Sequence, residues 1–363
     1  MATMTSPDLV PLLARLVDIP SVTGDEAAVA DFVVERMRAS RALREGRGEL
    51  LRSGHSIVWR AVPRGKPMAI LAGHLDTVPP NQNAGARIEG DRLYGLGSSD
   101  MKAGVAVMLA LADALDPART RFDLVLVFYD SEEGPLERNG LRRLLAEMPW
   151  LREGALGILL EPTSLTVELG CNGSMNAEVK VTGKSAHSAR PWLGLNAVER
   201  AAPWLSQVTR FPPTPVQVQG IEFRETLQIT TVRAGRAKNV VPDELVANLN
   251  YRFPPDRTLE QAEARLRALV PADFEFAVVD RAAPGLVCAD ADAVRDFLAT
   301  SGTVVRGKQG WTDVAQLTAA GIPAFNFGPG IPEMAHQRDE YCPTENLERA
   351  HRVLAGFLQE GAR

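Results

Sequence analysis

The sequence predicts an α/β protein with a mixed, mostly parallel sheet, helices on both faces of that sheet, and a smaller inserted α+β domain. Continuous apolar segments alternate with helical segments in residues 1–171, which is typical of parallel strands buried on both faces. Residues 172–283 instead show the polar and apolar alternation of half-exposed antiparallel strands. A chain of 363 residues also exceeds what one hydrophobic core usually supports, so two domains are expected.

The first part of the large, catalytic domain is assigned to residues 1–171. It opens with a helix, because Ser6 is a candidate N-cap and apolar residues recur at helical spacing from Leu9 to Leu16. Strands are predicted for SIVWRAV, MAILAG, DLVLVFY and GALGILL, and helices from about Lys102 to Leu115 and near LRRLLAEM. In sheets of this kind, ligands bind beyond the carboxyl ends of the strands.

The inserted domain is assigned to residues 172–283. Its strands include SMNAEVKVTG and LVANLNYRF, and its helices are LNAVERAAPWLSQV and LEQAEARLRAL. The order strand, helix, strand, strand, helix, strand predicts a ferredoxin-like fold. Residues 284–363 return to the pattern of the large domain and are expected to complete it.

Composition excludes several classes of protein. The formal net charge of -5 and the absence of a run of basic residues argue against a nucleic-acid partner. No uncharged apolar run reaches the roughly 18 residues of a membrane span, and the N-terminal segment lacks the pattern of a signal peptide. Three scattered cysteines without CxxC spacing fit a reducing compartment, so we expect a cytoplasmic protein.

Three predicted strands lead into residues that bind metal ions. MAILAG precedes His74, and GALGILL precedes Glu161. DLVLVFY precedes Glu132 and Glu133. Parallel strands end at one edge of a sheet, so these side chains form a candidate site, and imidazole and carboxylate groups suit zinc. Asp76 lies two positions after His74 and could hold its imidazole, although a polar turn after a buried strand is the alternative interpretation.

A further carboxylate lies in the segment YGLGSSDMKAG, where Asp100 occupies a glycine-flanked loop that opens a helix. Such a loop can bind phosphate, but Asp100 places a negative charge where a phosphate group would have to lie. A carboxylate that bridges two cations fits this position better.

Taken together, six segments resemble the zinc-dependent M20 family of metallopeptidases and deacylases. They are GHLDTVP, YGLGSSDMKAG, DSEEG, LEPT, GKSAHSARPWLGLNA and EMAHQ, which follow one another in the order of that family over nearly the whole chain. The resemblance implies two zinc ions, for which Co²⁺ is a possible substitute. It also implies a cis peptide bond between Asp100 and Met101.

The resemblance assigns the ligands of the two zinc ions. Asp100 would be the carboxylate that both ions share. His74 and Glu161 would complete the coordination of one ion, and Glu133 and His336 would complete that of the other. Asp76 would support His74.

The same resemblance assigns catalytic and binding roles. Glu132 would be the general base, which takes a proton from the attacking water and later passes it to the leaving amine. His187 would stabilise the oxyanion, reaching into the site of a neighbouring subunit in a homodimer formed through the inserted domain. Asn239 and Arg252 match positions where the family binds the backbone-like groups and the carboxylate of its substrate, although an ordinary turn or ion-pair role is equally open for each.

The implied activity is that of a di-zinc amidohydrolase acting on a small N-acyl amino acid. Removal of a succinyl group from a diaminopimelate-like amino acid is favoured. Hydrolysis of acetylornithine, of another N-acyl amino acid or of a peptide C-terminus would use the same mechanism. A doubly wound domain that binds a ligand through GLGSSD without hydrolysis is the alternative from a different class, and it predicts no stoichiometric zinc.

Overall fold

The computed structural model describes residues 8–359, with the exception of the Arg41 side chain, so the predicted N-cap at Ser6 lies outside the described residues. The chain forms two compact units. The first contains the described residues up to Gly170, Cys288–Arg306 and the described residues from Thr312 to Gln359. The second contains Cys171–Val287 and Gly307–Trp311.

The helices and strands are as follows, in chain order. The helices are α1 (Leu9–Val17), α2 (Ala27–Ala39), α3 (Arg41–Arg44), α4 (Lys102–Ala114), α5 (Gly140–Glu147), α6 (Ala197–Val208), α7 (Leu259–Ala268), α8 (Asp292–Ser301), α9 (Val314–Ala319) and α10 (Thr344–Leu358). The strands are β1 (Gly48–Ser53), β2 (Ser56–Ala61), β3 (Met68–His74), β4 (Arg87–Glu89), β5 (Arg92–Tyr94), β6 (Asp123–Tyr129), β7 (Gly154–Leu159), β8 (Val167–Cys171), β9 (Gly173–Thr182), β10 (Thr214–Val218), β11 (Ile221–Ala234), β12 (Glu244–Phe253), β13 (Glu275–Ala282), β14 (Val305–Lys308), β15 (Ala324–Asn326) and β16 (Tyr341–Pro343). Within residues 8–359, none of the helices combines the length and the apolar character that crossing a membrane requires.

An eight-stranded mixed sheet forms the centre of the first unit, in the order β1-β2-β6-β3-β7-β15-β8-β14. Its central strands β6, β3, β7 and β15 run parallel, whereas β1 and β2 are antiparallel. The strands β3, β6 and β7 are buried along nearly their whole length, which explains why their sequences are continuous apolar runs. The predicted fold class is confirmed.

Helix α4 positions the loop that precedes it. Its residues from Lys102 to Ala112 are buried, and the helix contacts α1, α10 and β3. Gly104 permits this close packing, because a Cβ atom at that position would lie 2.3 Å from the backbone oxygen of Leu160, just after β7. The absence of a side chain therefore brings the start of α4 against the end of the central strands.

The second unit contains a five-stranded antiparallel sheet, in the order β10-β11-β12-β9-β13. Strands β9, β11, β12 and β13, with helix α6 after β9 and α7 after β12, have the predicted ferredoxin-like order. Strand β10 is an addition that forms a hairpin with the first residues of β11. The alternate residues of the strands pack with both helices into one apolar core, which includes Trp204, Tyr251 and Leu266.

A small three-stranded sheet in the first unit, β16-β5-β4, was not expected from the sequence. It pairs Tyr341–Pro343 with Arg92–Tyr94, two segments that are distant in the chain. Their side chains carry no strong local strand pattern. The consequence is that the segment around His336 is attached beside the loop that contains Asp100.

His351 on α10 is expected to make stability depend on pH. Its side chain is buried, one ring nitrogen donates to the backbone oxygen of Ala110, and burial lowers the pKa of the imidazole. The unfolded chain therefore takes up a proton below about pH 6.5 that the folded chain resists, so the free energy of unfolding decreases as the pH falls below that value. We expect urea titrations of His351→Leu to give a shallower acid-side slope than those of the wild type, by up to about 1.4 kcal/mol per pH unit. Equal slopes would contradict this assignment.

Candidate active site

The ends of β3 and β6 bring the first candidate ligands together. The two strands are parallel neighbours, and His74, the last residue of β3, lies opposite Tyr129, the last residue of β6. The chain after β6 therefore places Glu132 and Glu133 beside His74. The glycine-flanked loop before α4 adds Asp100, whose Oδ1 lies 3.2 Å from His74 Nε2.

Asp100 lies between two histidines. While its Oδ1 faces His74, its Oδ2 lies 3.6 Å from His336 Nε2, and the same nitrogen lies 2.9 Å from Glu133 Oε1. Ligand atoms of His74, Asp100 and Glu133 lie within 4.8 Å of one another, so they form a group that could hold a metal ion. The Asp100 carboxylate therefore directs one oxygen to His74 and the other to His336.

Glu161 is buried just after β7, the next strand of the sheet. Its negative charge contributes to raising the pKa of His74 and of Glu132. The carboxylate therefore acts electrostatically on the same group, on the side of β7.

Asp76 holds both sides of the site in place. Its Oδ1 accepts a hydrogen bond from the Glu132 amide at 3.0 Å, and its Oδ2 accepts one from the Glu133 amide at 3.0 Å and one from the Thr23 hydroxyl at 2.9 Å. His74 Nδ1 lies 3.0 Å from the backbone oxygen of Asp76 and 3.5 Å from its Oδ1. Burial opposes ionisation of Asp76, but the histidine and the amides lower the pKa of its carboxyl group. One buried carboxylate thus orients the imidazole and fixes the backbone of both glutamates.

The loop that carries Asp100 is bound by a residue that the sequence did not indicate. Glu340, which is buried, accepts hydrogen bonds from the amides of Gly97, Ser99 and Asp100 at 2.9, 2.8 and 3.0 Å. Burial raises the pKa of Glu340 to about 7, against the effect of these three donors. The peptide bond between Asp100 and Met101 is cis, as the resemblance predicts. The amides of this loop already donate hydrogen bonds to a carboxylate of the chain itself. The alternative of a phosphate-binding GLGSSD loop is therefore not supported.

The electrostatics of the group suit divalent cations. Burial lowers the pKa of His74, but Asp100 and Asp76 outweigh it and raise that pKa well above its usual range. Glu133 and Asp100 raise the pKa of His336 to about 9. A negative potential that holds protons on two imidazoles also attracts metal ions, and neutral imidazole with carboxylate is a donor set that zinc accepts. The residues therefore fit a dinuclear metal site.

Glu132 lies beside the candidate metal ligands, in an acidic environment that is shielded from water. Withdrawal from water and the nearby carboxylates of Asp313 and Glu161 raise the pKa of Glu132 well above its usual range. Asp313 itself is completely buried and accepts hydrogen bonds from Asn139 Nδ2 at 2.9 and 3.1 Å. This contact could not be predicted from the sequence, since an aspartate at the start of a short helix is usually exposed.

The second unit places His187 and Asn239 together. His187 forms an isolated bridge with Val240, and the Ser188 amide donates to the backbone oxygen of Asn239 at 3.0 Å. The His187 side chain is exposed, and its Nδ1 accepts a hydrogen bond from the Ala189 amide at 3.1 Å. A neutral imidazole that accepts at Nδ1 carries its proton on Nε2. His187 therefore presents an N–H donor to the surroundings.

Arg252 lies at the other end of β12 from this pair. The eight steps along β12 from Glu244 to Arg252 span about 26 Å at ~3.3 Å per residue. The Arg252 Nε donates to Asn250 Oδ1 at 3.1 Å, and burial lowers the pKa of the guanidinium group. Among the described residues, no carboxylate forms an ion pair with it. The structure thus leaves a half-buried cation able to receive an anion, but far from Asn239 of the same chain.

A group of histidines and carboxylates that could hold metal ions at the carboxyl ends of an α/β sheet, with a further glutamate beside it, is the arrangement of a metal-dependent hydrolase. The chain belongs to peptidase family M20/M25/M40, whose sequence profile matches residues 70–360.

Two relatives match almost the full chain. The putative succinyl-diaminopimelate desuccinylase DapE of Mycobacterium tuberculosis is 40% identical over 352 residues, which cover 97% of this chain and 98% of that protein. The succinyl-diaminopimelate desuccinylase of Corynebacterium glutamicum is 38% identical over 361 residues, with coverage of 97% and 96%.

Solved structures share the fold at lower identity. Aminopeptidase PepT from Bacillus cereus superposes with a TM-score of 0.78 at 18% identity, covering 99% of this chain and 100% of that chain. The Bacillus subtilis YXEP protein, described as a dinuclear metal-binding peptidase of the M20 family, has a TM-score of 0.69 at 16% identity, with coverage of 96% and 95%. The shared fold therefore extends over both units.

Proposed function

We propose that this protein is a di-zinc amidohydrolase that converts N-succinyl-LL-2,6-diaminopimelate to succinate and diaminopimelate. The observation that carries the proposal is the position of Asp100 between His74 and His336, with the charge of Glu132 acting on His74. The substrate comes from the names of two of the relatives that match 97% of the chain, at 38–40% identity.

In this proposal, His74, Asp100 and Glu161 would hold one zinc ion, and Asp100, Glu133 and His336 would hold the other. Three carboxylates against two divalent cations leave a net charge of about +1, which favours ionisation of a nearby water molecule. When bound, the two ions would polarise the scissile amide carbonyl and lower the pKa of the attacking water. Co²⁺ accepts the same ligands and is a possible substitute.

The residues of the chain then divide the remaining work. Glu132 takes the proton of the attacking water and delivers it to the nitrogen of the leaving amine. Asp76 keeps His74 and the backbone of Glu132 in fixed positions. His187 donates its Nε2 proton in a hydrogen bond to the developing oxyanion. Arg252 binds a substrate carboxylate, because its planar guanidinium group matches that geometry, and Asn239 orients an amide.

We further propose that the protein acts as a homodimer through the second unit. Arg252 lies about 26 Å along β12 from Glu244, and Asn239 precedes that strand by five residues, so an N-acyl amino acid contacting both Arg252 and Asn239 would have to take them from two chains. Beside His187, three apolar side chains are strongly exposed: Trp192 by 75%, Leu193 by 56% and Leu195 by 49%. Such a cluster is typical of a protein interface.

The test is an assay of amine release on a matched panel of substrates. We expect the protein with Zn²⁺ to cleave N-succinyl-LL-2,6-diaminopimelate at least 100-fold more efficiently, in kcat/KM, than N-acetylornithine or a dipeptide. A preference of this size corresponds to about 2.7 kcal/mol, which a charged succinyl carboxylate paired with an arginine can supply. Removal of the metal with a chelator should abolish turnover, and Zn²⁺ or Co²⁺ should restore it. Preference for the acetyl or the peptide substrate would refute the assignment of substrate.

A further inference from the structure

We infer that Glu340 is a positioning residue for the proposed dinuclear site. It acts by accepting hydrogen bonds from the backbone amides around Asp100. The inference rests on the proposed metal ligands and adds a residue to which no metal contact is assigned. Glu340 does not belong to the group of His74, Asp100 and Glu133 that could hold a metal ion.

Three hydrogen bonds carry the inference. The amides of Gly97, Ser99 and Asp100 converge on one buried carboxylate, at 2.9, 2.8 and 3.0 Å. Backbone amides that point to one centre form an anion-binding loop. Glu340 therefore holds the backbone of the loop from Gly97 to Asp100 in one conformation.

These contacts also determine what the Asp100 side chain can do. An aspartate in a turn readily hydrogen-bonds to neighbouring backbone amides. Here those amides are already occupied by Glu340, so they do not compete for the carboxylate of Asp100. Both of its oxygens remain directed to His74 and His336. Glu340 thus keeps the shared ligand available for cations.

Glu340 further connects two ligand segments that are far apart in the chain. It follows His336 by four residues and precedes β16, which pairs with β5 directly before the Asp100 loop. The Gly95 amide donates to the backbone oxygen of Glu340 at 3.0 Å, and the Ser99 hydroxyl donates to the backbone oxygen of Tyr341 at 2.7 Å. The position and orientation of His336 relative to Asp100 therefore depend on these contacts of Glu340 and Tyr341 with the segment before Asp100.

A control residue is available at the start of β6. Asp123 Oδ2 accepts hydrogen bonds from the amides of Arg64 and Lys66 at 2.9 and 3.1 Å. The chemistry is similar, a poorly exposed carboxylate that binds backbone amides, but Asp123 begins the strand whose other end leads to Glu132. Asp123→Asn therefore removes a structural contact of the same kind at the opposite edge of the sheet.

The experiment measures Co²⁺ binding to metal-free full-length protein, by calorimetry and by the visible absorption of bound Co²⁺. We expect Glu340→Gln to weaken binding about 10–100-fold and to change the absorption spectrum, because loss of a group that orients ligands typically costs this much affinity. In glutamine, an NH₂ group replaces one of the two carboxylate oxygens. This group cannot accept a hydrogen bond from the backbone amides that it would face. Asp123→Asn should lower the melting temperature and leave both the affinity and the spectrum unchanged.

Two outcomes would overturn the inference: wild-type affinity in Glu340→Gln, or an equal loss of affinity in Asp123→Asn. If Glu340→Gln does not fold, Glu340→Asp decides, since it keeps the charge but cannot reach all three amides and should bind Co²⁺ more weakly than the wild type. Wild-type affinity in Glu340→Asp would then overturn it. Failure of the wild-type protein to bind Co²⁺ stoichiometrically would instead refute the proposed metal site itself.

Discussion

Replacement of Glu132 by glutamine is expected to lower kcat by about 10²–10⁴-fold while the protein keeps its fold and both metal ions. Glutamine has nearly the same shape as glutamate, but its amide cannot accept the proton of the attacking water. The backbone amide of residue 132 would still donate to Asp76, so the loop should remain in place. Single-turnover kinetics and metal analysis of the purified variant test this expectation.

Two neighbouring glutamates provide the comparison. Glu137 is exposed in the same loop, and Glu137→Gln should retain wild-type kcat. Glu133→Gln changes a proposed ligand, which lies 2.9 Å from His336, and should lose metal as well as turnover. Glu132 is not the general base if Glu132→Gln keeps more than about a tenth of kcat. Loss of metal from that variant would make Glu132 a ligand instead.

The second large effect concerns His187. Its Nδ1 is engaged by the Ala189 amide, so Nε2 is the available donor, and the side chain is exposed. A donor directed at a developing oxyanion contributes about 10²–10³ in kcat. We therefore expect His187→Ala to lose this factor while it binds zinc as tightly as the wild type.

A mixed dimer shows whether this histidine acts across the interface. One chain carries Glu132→Gln and the other His187→Ala, and each homodimer is expected to be inactive. If His187 serves the partner chain, the mixed dimer contains one site with both residues intact and should recover about half of the wild-type activity per dimer. No recovery in a verified mixed dimer would exclude the cross-chain role, but it would leave the metal assignment unaffected.

Much of the first unit could be predicted because its signals are local. The buried strands Met68–His74 and Asp123–Tyr129 are continuous apolar runs, and the rule that parallel strands end at one edge already placed His74 beside Glu132 and Glu133. The ferredoxin-like order of the second unit followed from the same kind of pattern. In each case, the pattern of apolar residues within the strand or helix predicts which of its faces is buried.

The sequence by itself therefore determined the two folds, the residue types of the site and the family, whereas tertiary structure decided which distant groups meet. His336 reaches Asp100 through the pairing of β16 with β5, and Glu340 finds its three amides at the same junction. The burial of Asp313 against Asn139, and the position of Arg252 at the end of β12 remote from Asn239, could not be predicted from the sequence either. The physical reason is that hydrogen bonds between segments hundreds of residues apart depend on the packing of the whole unit, and periodicity within a short window carries no information about them.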